Sequence, residues 1–231
     1  MEIISLRIPE SIPSDVYQFL LTRIGEAKKT RILRYQQTQS AYQSLLGELL
    51  VRLVICQNTS MSNPEISFHV DQYGKPSLKN CPEFTFNISH SGHWVVMIWS
   101  SRQFALGIDV EQIKPMDLGI AERFFHKSEY LDLQSRQETE QMDYFAQLWT
   151  LKESYIKAEG KGLSIPLDTF SFRSCGNQIW HSPETRGYYF KTFRIDAGHY
   201  VSACSNADNL PETIKIMTYQ DVCQFFYASV V

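Results

Sequence analysis

Three carboxylates pose the first chemical question. In Gly107-Ile108-Asp109-Val110-Glu111 the period of two along a strand puts Asp109 and Glu111 on one face and Ile108 and Val110 on the other. Like charges so close repel, and a divalent cation that prefers oxygen ligands is one remedy. A half-exposed edge strand with solvated acids is the other reading of the same five residues. The third acid lies in the helical stretch Trp149 to Glu159. At about 100° per residue, Leu148, Trp149, Leu151, Tyr155, Ile156 and Ala158 form a broad apolar arc, while Thr150, Glu153 and Lys157 share the opposite side. Glu153 and Lys157 make either an ordinary solvated i, i+4 ion pair, worth about 0.2–0.5 kcal/mol, or part of a site. Lys152 falls inside the apolar arc, where an ammonium is costly unless it snorkels out or meets an anion. Glu159, in the same arc, is one candidate for that anion.

Asn87-Ile88-Ser89-His90-Ser91-Gly92 ends a strand with hydroxyls and an imidazole at a tight turn, which exposes donors at a sheet end. Ser and His are sequence neighbours here and lack the flanking glycines of a nucleophile elbow, so this is no serine-hydrolase arrangement. Lys28, Lys29, Arg31 and Arg34 load one helical stretch with positive charge, and Lys28, Arg31 and Arg34 recur every three residues along one side. Alone they are a solvated face. Together with Lys75 they make sense as a phosphate clamp, because three carboxylates, a metal and several cations suit a phosphorylated substrate.

Holding these groups in place requires a particular set of elements. Apolar residues at three- and four-residue spacing (Tyr42, Leu45, Leu46, Leu49, Leu50, Leu53, Val54) predict a core helix over 41–57, and 26–37 reads as a second helix. A short strand is expected around Ile66, Phe68 and Val70, followed by a turn at Tyr73, Gly74, Lys75 and Pro76. Residues 84–89, 94–99 and 105–111 predict three strands of one small antiparallel sheet. A helix over 143–159 is stopped by Gly160 and Gly162, and short strands follow at 170–173, 188–195, 200–204 and 213–217. Helices and then strands, twice over, predict an α+β fold of two similar halves, 1–103 and 104–231.

The 231 residues are 43% hydrophobic, 13% aromatic and 20% charged, a composition that builds a core and excludes a disordered chain. With 22 Lys and Arg against 25 Asp and Glu the net charge is −3, so no global positive field exists to hold nucleic acid. The longest apolar run, Trp94 to Trp99, is far short of the ~20 residues of a membrane span, and Glu2 and Arg7 interrupt any leader-like start. A cytoplasmic protein is expected. The five cysteines (Cys56, Cys81, Cys175, Cys204, Cys223) are odd in number and lack CxxC spacing, as free thiols in a reducing compartment would be.

GIDVE at 107–111, FNISHSG at 86–92 and WTLKESYIKAEGKGLS at 149–164 together resemble the Sfp-type 4′-phosphopantetheinyl transferases, most of all the surfactin-synthetase-activating subfamily. The likeness extends through LLGELLVR at 45–52, YGKP at 73–76, RFFHKSEY at 123–130 and 166–172, and leaves the tail after about Tyr219 unmatched. The resemblance implies two pseudo-twofold α/β halves and a monomer with coenzyme A in the cleft between them. The implied reaction moves the phosphopantetheine arm from coenzyme A to a serine of an apo peptidyl or acyl carrier domain, Mg²⁺-dependent, releasing 3′,5′-ADP and serving nonribosomal peptide and antibiotic synthesis. Its alternative is a catalytically silent module that binds coenzyme A or carrier domains.

By motif match Asp109, Glu111 and Glu153 are the metal ligands, and Glu153, directly or through a water, takes the serine proton. Lys157 stabilises the pyrophosphate, and Lys152 approaches it or the 3′-phosphate. Lys28, Arg31, Ser44, Ser89 and His90 hold the coenzyme's phosphates, and Tyr73, Gly74, Lys75 and Pro76 bracket the adenine with Lys75 on phosphate. Arg31 stands where the family has a lysine, Ser44 where it has a threonine, and Gln43 where it often has a basic residue. Carrier docking is implied along 112–130 and about 160–191, with Leu118, Phe124 and Phe125 as apolar contacts or, equally, as a buried helix face.

Overall fold

The computed structural model describes residues 1–228. The first half runs β1 (Glu2–Arg7), α1 (Ser14–Leu21), α2 (Glu26–Ile32), α3 (Thr38–Asn58), β2 (Phe68–Val70), β3 (Pro76–Leu78), β4 (Thr85–Ser91) and β5 (Trp94–Ser100). The second runs β6 (Leu106–Gln112), α4 (Gly119–Phe124), α5 (Lys127–Ser135), α6 (Glu138–Glu159), β7 (Arg173–Gly176), β8 (Ile179–His181), β9 (Tyr189–Asp196) and β10 (His199–Ser205). Then β11 (Lys215–Met217) and α7 (Tyr219–Ala228) return to the first. The fold is α+β, with one sheet ordered β11-β1-β5-β4 and another ordered β6-β10-β9-β8-β7, antiparallel except for the β1–β11 pair. Among the described residues no helix is long and apolar enough to cross a membrane.

The predicted apolar stripe of α3 is the core of the first half: Leu45, Leu46, Leu49, Leu50, Leu53 and Val54 are buried against β1, β4 and β5. That core also takes in Met217, Val222 and Phe226, so residues 215–228 pack with the first half although they follow the second in the chain. Of the unmatched tail, residues 229–231 lie outside the described part. A second core joins α6 to Phe170, Phe172 and Phe190. A third lies between the sheets, where Ile3, Val96 and Ile98 meet Ile108, Val110, Val201 and Ala203.

Two expectations are corrected. The 26–37 helix ends at Ile32, and α3 begins anew at Thr38. The three strands expected in one sheet are divided, because β6 pairs with β10 and forms the edge of the second sheet. Edge strands β4 and β6 run side by side and are stitched by side chains: Asn87 Oδ1 accepts from Ile108 N at 2.9 Å, Ser89 Oγ donates to Asp109 Oδ1 at 2.7 Å, and Ser91 Oγ donates to Glu111 Oε2 at 2.8 Å. Alternation along a strand reports which face is buried and says nothing about which strand is its neighbour.

Candidate active site at the seam between the halves

Helix α6 lies across β6 and β10. At Gly107 it comes so close that a Cβ there would stand 1.8 Å from the Ser154 carbonyl oxygen, which only glycine permits. This contact sets Glu153 and Lys157 beside the acids of β6. Ile108 and Val110 point into the core between the sheets, so Asp109 and Glu111 occupy the other face, as the alternation predicts.

Of the two readings of the Glu153–Lys157 side of α6, the solvated one does not hold, because that side is covered. Thr150 is fully buried with its hydroxyl 2.7 Å from that of Ser202 on β10. Lys157 forms no solvated pair with Glu153. Its Nζ donates to Asp109 Oδ1 at 2.6 Å and to Ser89 Oγ at 2.9 Å, drawing a side chain from each half onto one carboxylate. The second oxygen of Asp109 is buried and has no hydrogen-bond partner among the described residues. Burial, reinforced by Asp109 and Glu111 and opposed by Lys157, pushes the Glu153 carboxyl up to about 7. Burial and Asp109 also raise Glu111, against the Ser91 hydrogen bond, Lys157 and Lys114.

Three crowded carboxylates, two of them held above their ordinary values and one with an orphaned oxygen, are the donor set a hard divalent cation suits. Among the described residues no three His, Cys, Asp or Glu side chains stand close enough together to hold a metal ion as they are placed. Lys157, seated on Asp109, occupies part of that space.

Facing them across the seam are groups from α2, α3 and the end of β4. The Lys28 ammonium is lowered by burial, opposed by Glu48 and furthered by Arg31. His90 sits at the rim, its imidazole held below the ordinary range by surrounding protein and by Lys157 and Lys28. Tyr35 hydrogen-bonds Arg31 and Ser44, which outweighs burial and lowers its phenol. Lys28, Arg31, Ser44, Ser89, His90 and Lys157 therefore share one region. Tyr35 is a member that sequence reasoning missed, because the expected 26–37 helix runs past the break after Ile32; Ser91, which holds Glu111, is a turn residue in that reading.

Two expected phosphate ligands are engaged elsewhere. Lys152 is fully buried, with its Nζ 2.8 Å from Glu129 Oε2 and donating to the carbonyls of Leu167 and Phe170 at 2.7 and 2.8 Å. The rings of Phe125, Phe170 and Phe172 surround it at 4.5–5.8 Å. Its anion is Glu129 on α5, whereas Glu159 accepts from Lys161 and Tyr188. Lys75 donates to the carbonyls of Leu106, Lys157 and Ala158 at 3.2, 2.6 and 3.0 Å, so two of its protons satisfy carbonyls in the last turn of α6 and the third ties that end to the start of β6.

Tyr73 is exposed on the turn that Asp71 organises by accepting from the backbone amides of Tyr73 and Lys75. A cavity of about 350 Å³ opens beside Lys75 and Pro76, walled by Leu78, Phe84 and Phe104, and the three carboxylates do not line it. In the expected docking region Phe125 is core, stacked on Phe145 at 5.1 Å, and Leu118 packs partly against that core, whereas Phe124, Leu163 and Ile179 are exposed.

Comparison with known proteins gives the family. Residues 105–204 match the 4′-phosphopantetheinyl transferase superfamily, and residues 12–102 match the family described as "4′-phosphopantetheinyl transferase, N-terminal". The chain is 40% identical over 223 residues to 4′-phosphopantetheinyl transferase ffp of Bacillus subtilis, covering 95% of this chain and 99% of that one. It is 37% identical to 4′-phosphopantetheinyl transferase Sfp of Bacillus subtilis (strain 168), covering 96% and 100%. Against 4′-phosphopantetheinyl transferase gsp of Aneurinibacillus migulanus the identity is 36%, covering 99% and 96%. Both halves match, at this identity and over nearly the full length, and the chain belongs to the 4′-phosphopantetheinyl transferase family.

Proposed function

We propose that this enzyme transfers the 4′-phosphopantetheine arm from coenzyme A to a serine of apo peptidyl and acyl carrier domains, with Mg²⁺, and releases 3′,5′-ADP. The reading rests above all on Asp109. It holds Lys157 and Ser89 on one oxygen, leaves the other free, and neighbours a Glu153 carboxyl poised at about 7. In the reaction the serine oxygen bonds to the β-phosphorus as the bond to the bridging oxygen breaks, and 3′,5′-ADP leaves with that oxygen. Lys157 meets the charge growing on the pyrophosphate. Glu153, directly or through one water, accepts the serine proton, a task its raised carboxyl suits near neutral pH. Lys28, Arg31, Ser44 and His90 bind the coenzyme's phosphates from the first half. The Tyr73–Pro76 turn offers backbone and ring to the adenine, while Lys75 keeps that turn on the end of α6. Mg²⁺, held by Asp109, Glu111 and Glu153, would offset charge on the pyrophosphate oxygens.

The carriers are those of nonribosomal peptide and antibiotic synthesis, met in the cytoplasm by a monomer whose docking surface lies within 112–130 and 160–191. Phe124, Leu163, Ile179 and Tyr189 are the large hydrophobic side chains exposed there among the described residues. The test is intact mass spectrometry of an apo peptidyl carrier domain incubated with enzyme, coenzyme A and Mg²⁺, beside a carrier with alanine for its acceptor serine. A gain of one phosphopantetheine, dependent on serine and metal, is expected. Coenzyme A binding without any gain on several carriers would instead leave a silent binding module.

A further inference from the structure

The hairpin that joins β9 to β10 carries a pair of side chains outside the chemistry described above. Asp196 accepts from three donors: Trp94 Nε1 at 2.7 Å, the Gly198 amide at 2.7 Å and His199 Nδ1 at 2.9 Å. Trp94 belongs to the first half and Asp196 to the second, so the carboxylate bridges the seam near the carboxylate end of β6. Burial pushes Asp196 up, but the hydrogen bonds from Trp94 and His199 hold it below the ordinary range. With an ionised carboxylate as its partner, Nδ1 of His199 carries a proton.

His199 is itself buried, and its Nε2 has no hydrogen-bond partner among the described residues. The β9–β10 ladder slips between His199 and Tyr200, the kind of bulge that re-aims a side chain. The ring is aimed at Gly92: a Cβ there would stand 2.3 Å from His199 Nε2 and 3.3 Å from Gln112 Oε1, on a backbone with φ +54°. From the other side, the side-chain amides of Gln39 and Gln43 on α3 both donate to the Gly92 carbonyl. Gly92 is thus gripped between α3 and the imidazole. Its neighbours in the turn are His90 and Ser91, and Ser91 Oγ donates to Glu111 while accepting from the Gln112 amide.

We propose that Asp196 and His199 are positioning residues that hold the His90–Gly92 turn and, through Ser91, the Glu111 carboxylate in register with Asp109 across the seam. Neither touches a reacting group. Asp196, anchored on Trp94, fixes the plane of the imidazole; the imidazole fixes Gly92; and the turn fixes one phosphate-facing side chain and one carboxylate. The inference rests on the transferase reading for its consequence but not for its geometry. A misplacement of about 1 Å at such a turn costs up to about 100-fold in rate.

The experiment compares wild type with His199→Ala, His199→Asn and Asp196→Asn. Asn at 199 keeps a donor where Nδ1 stands and is the conservative variant. The readouts are the His90 ring and Gly92 amide NMR resonances of the unliganded protein, the thermal midpoint, and kcat and KM for coenzyme A at a temperature where each variant is folded. Expected for His199→Ala are displaced His90 and Gly92 resonances and a kcat lower by about tenfold, with His199→Asn restored toward wild type. Unmoved resonances and an unchanged kcat in a folded His199→Ala overturn the proposal. If that variant does not fold, Asp196→Asn decides by the same resonances: moved supports the proposal, unmoved overturns it. Inactive wild type on every carrier would count against the transferase reading alone, because the resonances still report the turn.

Discussion

Helix α6 carries two lysines, Lys152 and Lys157, on faces that do different work. On the seam face Lys157 has a partly exposed ammonium shared between Asp109 and Ser89, beside a Glu153 that its surroundings hold close to neutrality. On the opposite face Lys152 is sealed against Glu129, two carbonyls and three phenyl rings. The seam face leaves carboxylates crowded and one oxygen unpaired, whereas on the other face every ammonium proton has an acceptor. Charge held short of satisfaction is available to a ligand; charge fully satisfied inside the protein serves architecture.

Substitution of Glu153 strikes this contrast hardest. Glu153→Gln should lower kcat by about 10²–10⁴, the usual worth of a positioned general base, and leave coenzyme A binding measurable by calorimetry. Retention of more than a tenth of the rate would remove Glu153 from the proton transfer. On the opposite face Lys152→Ala leaves Glu129 charged and buried, at a cost of about 3–5 kcal/mol in unfolding free energy. The double variant Lys152→Met with Glu129→Leu should recover most of that loss. Should Lys152→Ala instead weaken coenzyme A binding with an unchanged thermal midpoint, the two faces would no longer differ in kind.

The smallest effect is a pH dependence. Glu153 binds its proton more tightly folded, at about 7, than unfolded, near 4.5, so the stability tied to that proton is fully present at acid pH and lost as pH rises through about 7. With chelator present, wild type should lose a few degrees of thermal midpoint between about pH 5 and pH 8 relative to Glu153→Gln. Parallel curves would mean the seam carboxylates are not in conflict.

Much of the seam could be read from residue order. Period two placed Asp109 and Glu111 together, and helical spacing placed Glu153 with Lys157, because both are local regularities of backbone geometry. What joins elements distant in the chain was not legible. Lys152 was visible as an anomaly, but its partner Glu129 lies on another helix, and the carbonyls it binds belong to a segment beyond Gly160. Lys75 looked like a phosphate ligand because its type and turn fit one; its acceptors are backbone carbonyls, which leave no mark in the sequence. The bare ion-pair reading of Glu153 and Lys157 would need a solvated face on α6, and none exists there, since β6 and β10 cover it while Phe170 and Phe190 cover the other. A helix packed on two sides has little amphipathic signal to read.

The return of β11 and α7 to the first half bears on how the enzyme is made. As the polypeptide leaves the ribosome, β1 emerges before the second half, but the strand that pairs along it in parallel and the helix that buries Val222 and Phe226 emerge only after that half. Until then β1 presents an open backbone edge and α3 an uncovered apolar patch, the features that invite mispairing in nascent chains. The second half can assemble β6 to β10 in the meantime, so the amino-terminal portion is completed after the portion that follows it. A gene cut near codon 104 would leave the first fragment without its own closing strand, and complementation should succeed only when the other fragment supplies it.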